Sequence, residues 1–470
     1  MATRFPATFV TAVFLAIPLL IGTIAEATVE EAVGVLESKS AGGPAGASEE
    51  GKGGEVAAAV ATWWVDGRPY VFDGTVPVPG PKVSGGEAAF DEGDLVRVAF
   101  EKRNGRRCVT GIQALGYGPG GIQDGPHLIW RSRDSATLIT VVDGVVIRTE
   151  HTGLDDTSVI ETPSRAIPRI RLARADGSSQ ASWPDASRVL AVSDLEGNRT
   201  TFLSFLNNNG VVDEDGGWIW GDGHLVLNGD IVDRGDEVTE LLWTIRRLER
   251  EAEQAGGRVH YVLGNHESMV MAGDLRYIHP NYRFTTDRIG MSYEDLVGPE
   301  TELGRWLRDH DSVVRVGPFL FVHAGYSPEL DRLDLELDEI NRAIRTGLGP
   351  PAWPAEARAE LRSGLTWHAQ GPHWYRGYFP QHAERWGGRP TDEELAAILE
   401  RHGADHIVVG HTVVDDVGWI DGRRELIGID VAWEDPSEAA GLLFDRQGVR
   451  RVDADGTATP LGDPVGGSTE

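Results

Sequence analysis

Metal-ligating side chains recur along the chain, each time directly after a short apolar run. The five segments are Asp194-Leu195-Glu196-Gly197-Asn198, Gly229-Asp230-Ile231-Val232-Asp233-Arg234-Gly235, Gly264-Asn265-His266-Glu267, His323-Ala324-Gly325 and Gly410-His411-Thr412. Carboxylates, imidazoles and an amide oxygen suit borderline to hard divalent ions such as Mn, Fe or Zn. Two such ions about 3.5 to 4 Å apart can share a carboxylate and a hydroxide, and they clamp both oxygens of an in-line displacement. These residue types therefore indicate a two-metal phosphate-ester hydrolase.

The elements that position these segments follow an alternating pattern after residue 187. Short apolar runs predict strands, and four apolar residues within residues 239–255 share one helical face. Thr391 and Glu394 have the spacing of a capping box that opens a later helix. Alternating strands and helices predict an α/β domain, in which ligands gather beyond the carboxyl ends of the strands. The five segments are therefore expected to meet in one crevice.

Together the five segments resemble the motifs of the calcineurin-like metallophosphoesterase superfamily. Within it they are similar to the phosphoprotein phosphatase branch, including its bacterial Shewanella-like members, because Asp233-Arg234-Gly235 and Gly264-Asn265-His266-Glu267 both occur. The likeness covers about residues 188–445. It implies an α/β fold of mixed α+β type, a metallophosphatase-type two-sheet sandwich flanked by helices, with a catalytic domain at residues 186–452.

The resemblance also implies a role for each motif residue. The ligands of two divalent ions, with Mn favoured over Fe or Zn, would be Asp194, Glu196, Asp230, Asn265, His323 and His411. Asp230 would bridge the two ions. His266 would protonate the leaving alkoxide, and Asp233 would orient its ring. Arg234 would bind phosphate oxygens through its guanidinium fork, and Arg376 matches the position of a second phosphate-binding arginine.

The first motif departs from the family pattern, because the usual Asp-x-His is here Asp194-Leu195-Glu196. One hypothesis is that Glu196 ligates through oxygen, which makes the first site more anionic and biases it towards Mn or Mg over Zn. The other is that its side chain turns away and the first ion is weakly held. We favour ligation, or close contact with the ligands.

Three classes of function follow. The leading one is a metal-dependent phosphomonoesterase that resembles protein phosphatases and acts on a phosphopeptide or a small phosphomonoester. The second is a hydrolase of phosphodiesters or nucleotide anhydrides, which the same superfamily includes. The third is a non-catalytic binding module with an impaired first metal site. Arg234 and Arg376 favour the first class, because two guanidinium groups neutralise a dianionic phosphate better than a singly charged diester requires.

The 470 residues exceed one typical core and predict a catalytic domain with an appendage. Residues 56–180 are rich in strand patterns and predict a β-rich accessory region. Residues 28–55 and 453–470 have too little apolar mass to order a backbone, which predicts a disordered linker and tail. Residues 268–315 and 364–385 are expected to form walls of the cleft.

The net charge and the N-terminal sequence limit the expected partners and the expected cellular location. Seventy-three Asp and Glu against 44 Lys and Arg give a net charge of −29, which disfavours nucleic acid as a partner. The apolar residues 9–24 precede Ala25-Glu26-Ala27, which predicts an export signal at residues 1–27 and no stable membrane span after cleavage. The protein is therefore expected to be periplasmic or secreted; the alternative is an uncleaved N-terminal anchor. A single cysteine, Cys108, excludes an intrachain disulfide.

Overall fold

The computed structural model describes residues 30–40, 61–65, 68–72, 95–103, 106–114, 122–172, 180–349, 361 and 364–464. The predicted export signal lies outside these described residues. Within them, no helix has the length and hydropathy that a bilayer span requires. The chain divides into two compact units: residues 1–123, 141–147 and 280–289 form the first, and residues 124–140, 148–279 and 290–470 form the second.

The first unit contains a closed five-stranded barrel with the strand order β1-β2-β3-β5-β4. Its strands are β1 Glu30–Ser40, β2 Ala61–Val65, β3 Arg68–Phe72, β4 Leu95–Arg103 and β5 Arg106–Ala114. β1 pairs with β4 from Glu30 opposite Phe100 to Val35 opposite Leu95. It lies in the segment expected to be a disordered linker, and pairing with a distant strand supplies order that local composition does not reveal.

The strand-rich accessory region predicted at residues 56–180 is divided between the two units. The strands β6 Asp124–Trp130, β7 Ser135–Val142, β8 Val145–Thr152, β9 Val159–Glu161 and β10 Arg169–Arg171 follow the barrel strands. Most of β6 to β10 belongs to the second unit, where Trp243 Nε1 donates a hydrogen bond to the Pro126 oxygen at 2.7 Å. Trp130 N likewise donates to the Glu300 oxygen at 2.8 Å. The boundary near residue 180 is therefore replaced by one near residue 124.

Two six-stranded sheets form the second unit's sandwich. The strands are β11 Ser182–Trp183, β12 Val189–Val192, β13 His224–Asn228, β14 Arg258–Val262, β15 Val313–Val316, β16 Phe319–Val322, β17 His406–Val409, β18 Gly418–Trp419, β19 Leu426–Gly428, β20 Ala440–Asp445, β21 Gly448–Asp453 and β22 Ala458–Pro460. The first sheet has the order β14-β13-β12-β20-β21-β22, and the second has the order β11-β15-β16-β17-β19-β18. β22 lies in the segment expected to be a disordered tail, where it pairs with β21.

Helices of the second unit flank its sandwich. They are α1 Arg199–Asn208, α2 Val238–Gln254, α3 Asn265–Met271, α5 Tyr293–Leu296, α6 Glu302–Arg308, α7 Pro328–Asp331, α8 Leu337–Gly347, α9 Pro380–Ala383 and α10 Asp392–His402. The helix α4 Pro280–Ile289 belongs to the first unit. The helix predicted within residues 239–255 is confirmed as α2. The capping box of α10 is also confirmed, since Thr391 Oγ1 accepts from Glu394 N at 3.2 Å and Glu394 Oε2 accepts from Thr391 N at 3.0 Å.

Side chains of β16 point alternately to two hydrophobic cores, one on each face of the second sheet. Phe319 and Phe321 of β16 pack in a core shared by both sheets, whereas Leu320 and Val322 face a second core built with α7, α8 and α10. Successive strand residues point to opposite faces, so a strand that is buried on both sides must be apolar throughout. The predicted two-sheet sandwich flanked by helices is confirmed.

Candidate metal and phosphate site

Parallel strands bring the motif segments to one edge of each sheet. β12, β13 and β14 run parallel in the first sheet, and β16, β17 and β19 run parallel in the second. Asp194 and Asp230 follow β12 and β13 by two residues, Asn265 begins α3 after β14, and His323 and His411 follow β16 and β17. The chain turns sharply there: six of the nine described non-glycine residues with positive φ are predicted site residues, namely Asp194, Glu196, Asp230, Asp233, Arg234 and His411. Such backbone strain concentrates at functional sites.

Asp230 lies at the centre of the cluster. Its Oδ2 is 3.1 Å from His323 Nε2, and its Oδ1 accepts a hydrogen bond from His266 N at 2.9 Å. Potential ligand atoms of Asp230, His323 and His411 all lie within 4.8 Å of one another. Asn265 Oδ1 is 3.0 Å from His323 Nε2. The four residues predicted to hold the second ion are therefore brought together.

The donor set fits a divalent cation. His323 Nδ1 donates to the Asn228 oxygen at 2.9 Å, which turns Nε2 towards the oxygens of Asp230 and Asn265, at 3.1 and 3.0 Å. This backbone anchor is the usual way in which a metal-ligating histidine is oriented. His411 Nε2 is buried and has no hydrogen-bond partner among the described residues. A cation placed among these atoms would satisfy every one of them.

Asp194 and Glu196 lie beside this cluster, on the loop that follows β12. Asp194 Oδ2 accepts hydrogen bonds from Ser193 Oγ at 2.5 Å and from His411 N at 3.1 Å. Glu196 Oε2 accepts from Arg234 Nη1 at 2.9 Å. The buried carboxylate of Glu196 thus pairs with the predicted phosphate-binding arginine, and its role as a metal ligand stays a prediction.

Burial and mutual repulsion perturb these acids. Burial raises the pKa of Asp194 to about 6 and the pKa of Glu196 to about 8, and neighbouring carboxylates reinforce both shifts. Burial also raises the pKa of Asp230, but His323 and His266 outweigh it and lower that pKa below its ordinary value. So many buried acids around one cavity need a compensating positive charge.

His266 and Asp233 form a buried pair. His266 Nδ1 donates to Asp233 Oδ2 at 2.7 Å, and Nε2 lies 3.7 Å from Asp230 Oδ2. Burial alone would lower the pKa of His266, but the carboxylates of Asp230 and Asp233 outweigh it and raise that pKa to about 9. The imidazole is therefore held in its protonated, acidic form at neutral pH. The ring of Tyr277 covers it, with 5.1 Å between ring centroids.

Both predicted arginines reach the same cavity. The cavity has a volume of about 560 Å³, and its lining includes Asp194, Glu196, Asp230, Arg234, Asn265, His266, Arg376 and His411. The side chain of Arg234 is 50% exposed, and Arg376 Nη1 donates to Thr412 Oγ1 at 2.8 Å. Both guanidinium-bearing residues therefore line the cavity that contains the buried cluster.

Both segments that were expected to form walls of the cleft contribute residues to the cavity lining. Met269, Arg276 and Tyr277 come from residues 268–315, and Trp374 and Arg385 come from residues 364–385, as expected. Trp306, which lies in the first of these segments, is not part of the cavity lining. Its indole packs on the ring of Tyr261, with 5.5 Å between the ring centroids.

Sequence reasoning missed Asp430 in this lining. It is buried and follows the apolar strand β19, so the signal was the same as for the five motifs: an acidic residue directly after an apolar run. No motif marks it, which is why it was overlooked. Burial and the nearby carboxylates of Asp194 and Glu196 raise the pKa of Asp430 well above its ordinary value.

Glu267 holds the bridging loop in place. Its carboxylate accepts from the backbone N of Asp230 at 3.1 Å, of Ile231 at 2.8 Å and of Gly264 at 2.7 Å. Tyr261 Oη also donates to it, at 2.9 Å. One fully buried side chain thus satisfies donors from two motif loops, so it acts on the site through the backbone.

We expect Glu267→Gln to lower the free energy of unfolding by about 3 kcal/mol, because the amide NH₂ would face buried donors that the carboxylate now satisfies. Urea unfolding of the metal-free protein measures it. Tyr261→Phe is the matched control and removes a single hydrogen bond, with an expected loss of about 1 kcal/mol. Equal stability of Glu267→Gln and the unmodified protein would contradict this role.

Comparisons with known proteins agree with this geometry. The calcineurin-like phosphoesterase family model matches residues 187–415. Shewanella-like protein phosphatase 2 of Arabidopsis thaliana is 35% identical over 99 residues, 21% of this chain and 25% of that protein. Shewanella-like protein phosphatase 1 of Plasmodium berghei is 25% identical over 234 residues, 48% of this chain and 61% of that protein. The chain thus spans less than two thirds of the length of these curated relatives.

A solved structure matches more completely. The cold-active protein-tyrosine phosphatase of a psychrophile Shewanella species superposes with a TM-score of 0.65 and 31% identity, over 72% of this chain and 99% of that one. The match covers nearly the whole of that phosphatase. This chain therefore belongs to the calcineurin-like phosphoesterase family.

Proposed function

We propose that the protein is a metal-dependent phosphomonoesterase of the protein phosphatase type. The observation that carries the proposal is that Arg234, Arg376 and His266 line one cavity together with the buried cluster of predicted metal ligands. Two guanidinium groups suit the two charges of a terminal phosphate, and a protonated imidazole suits an alkoxide or phenoxide leaving group.

Two divalent ions, with Mn favoured, would occupy the cluster. Asp194 and Asp230 would hold the first, and Asp230 with Asn265, His323 and His411 would hold the second. When bound, the ions would supply charge neutralisation and a water activated at neutral pH. Asp230 would contribute its carboxylate to both, and its Oδ2 lies 3.1 Å from Nε2 of the predicted ligand His323.

The remaining steps belong to the chain's own residues. Arg234 and Arg376 would bind and orient the phosphate oxygens, with Thr412 fixing Arg376. His266 would give its Nε2 proton to the leaving oxygen, while Asp233 holds Nδ1 and stabilises the cationic ring.

We further propose that aryl phosphates, including phosphotyrosine in peptides, are among the best substrates. Aromatic rings flank the site: Tyr277 lies 5.1 Å from the His266 ring, and Trp374 lies 6.2 Å from the His411 ring, centroid to centroid. Such rings can pack against the substrate's own ring. The related Shewanella enzyme is itself described as a protein-tyrosine phosphatase.

Assay of the full-length protein with added Mn, added Zn or no metal tests the proposal, using an aryl phosphomonoester, the corresponding diester and a phosphotyrosine peptide. We expect the monoester and the peptide to be hydrolysed faster than the diester. Arg376→Leu should lower kcat/KM for the monoester by about 10 to 100 times, because a hydrogen-bonded charge contact is lost, and should affect the diester less.

Arg424→Leu is the control, since that side chain is 61% exposed and pairs with Asp463. Faster hydrolysis of the diester would instead favour a phosphodiesterase or nucleotide-anhydride hydrolase. Absence of hydrolysis with all three substrates would favour the non-catalytic alternative.

A further inference from the structure

Asp430 occupies a position equivalent to that of a predicted metal ligand. β19 pairs in parallel with β17, with Val408 opposite Ile427 and Val409 opposite Gly428. The pairing continues past the strands, because Ile429 N donates to the Val409 oxygen at 2.9 Å. Two residues beyond the last pair, His411 and Asp430 therefore leave the same edge of the sheet side by side.

Asp430 is a buried residue whose carboxylate has no hydrogen-bonding partner among the described residues. The residue is only 6% exposed, and it lines the same cavity as Asp194, Glu196 and Asp230. By contrast, Asp194 accepts hydrogen bonds from Ser193 Oγ and His411 N, and Glu196 accepts one from Arg234 Nη1. A buried carboxylate that faces other carboxylates is costly unless a cation neutralises it.

The first metal site also has a ligand missing from its motif. Glu196 stands where the resemblance places histidine, and its Oε2 is already bonded to Arg234 Nη1 at 2.9 Å. The guanidinium therefore competes with a metal for that carboxylate. Asp430 lines the same cavity from the opposite sheet, and no hydrogen bond among the described residues reaches its carboxylate oxygens.

We propose that Asp430 is a ligand of the first metal ion and takes the place of the family's imidazole, while Glu196 positions Arg234. The first site then offers only carboxylate oxygens, from Asp194, Asp230 and Asp430, and the second keeps its two imidazoles. Oxygen-only coordination favours Mn or Mg over Zn, so the two sites should differ in metal preference. The inference rests on the two-metal centre of the proposed function.

Metal titration of the full-length, metal-stripped protein tests it, with Mn²⁺ followed by electron paramagnetic resonance and calorimetry. The unmodified protein should bind two Mn²⁺ ions. Asp430→Asn should weaken one of them by about 10 times or more and leave the other unchanged, because the second site keeps all its ligands. Glu196→Gln should weaken Mn²⁺ binding less than Asp430→Asn does. Asp415→Asn, an exposed change of the same type nearby, is the control.

The outcomes separate this inference from the proposed function. Two Mn²⁺ ions bound by Asp430→Asn with unchanged affinities would overturn the assignment of Asp430 alone. A larger loss in Glu196→Gln than in Asp430→Asn would overturn it in favour of Glu196. Fewer than two ions bound by the unmodified protein would overturn the two-metal centre and this inference with it. Circular dichroism checks folding, and if Asp430→Asn does not fold, Asp430→Ala in the same titration gives the same readings.

Discussion

Asp230→Asn should abolish hydrolysis of an aryl phosphomonoester, with kcat/KM lowered by at least about 1,000 times, because both ions lose the shared charge that holds them together. Asp230 is only 2% exposed, and its oxygens face His323 Nε2 at 3.1 Å and His266 N at 2.9 Å. Asparagine keeps the shape but turns a neutral amide towards these groups. Steady-state kinetics and metal analysis of the purified variant measure the effect.

The matched control is Asp222→Asn, the same change at a side chain that is 81% exposed and paired with Arg188. It should keep both ions and the full rate. If Asp230→Asn retained two ions and a rate near that of the unmodified protein, the shared-ligand role of Asp230 would be wrong, and with it the two-metal centre.

His266→Asn should lower kcat for an alkyl phosphomonoester by about 100 to 10,000 times, because it removes the imidazole that is proposed to protonate the leaving oxygen. An aryl phosphate with an acidic phenol should lose much less, since its leaving group departs without a proton. Comparison of kcat over a series of leaving groups measures this. His406→Asn, at a partly exposed ring bonded to the Arg424 oxygen, is the control. Equal losses with every leaving group would contradict the general-acid role.

The loss of the His266 proton at high pH sets an expected upper limit to the pH range of activity. The carboxylates of Asp230 and Asp233 raise the pKa of His266 to about 9, above its ordinary value, so the acidic form is present at neutral pH and disappears as pH rises through about 9. Activity with an alkyl phosphate should therefore fall on the alkaline side. Asp233→Asn should move that fall to lower pH, because it removes the partner at 2.7 Å. A pH–rate profile that does not move in Asp233→Asn would exclude this linkage.

Much of the fold was readable from local patterns. The strands β12 Val189–Val192 and β16 Phe319–Val322 are fully apolar and buried at every position, which makes them visible as continuous runs. β1 and β22 were not readable in this way. Each gains its order from pairing with a strand that its own sequence does not specify, β1 with β4 and β22 with β21.

The residues of the candidate site also fall into two groups: those that the sequence predicts and those that only the structure reveals. Asp230, His323 and His411 were identified from residue type and position after a strand, and the structure brings them together. The partner of Glu196 was not predictable, because Arg234 lies 38 residues away and the choice between a metal and a guanidinium depends on rotamer and burial. Asp430 was missed because a single acidic residue after a strand is common, and only the pairing of β19 with β17 places it beside His411.

The sequence alone determined the chemistry of the donors and the order in which strands deliver them, since apolar runs and the residues that end them are local properties. The tertiary structure alone decided which donors share a cavity, which acids remain unpaired and which arginine is already engaged. Those outcomes depend on sheet register and burial, in which residues more than 200 positions apart, such as Asp194 and His411, become neighbours through a hydrogen bond.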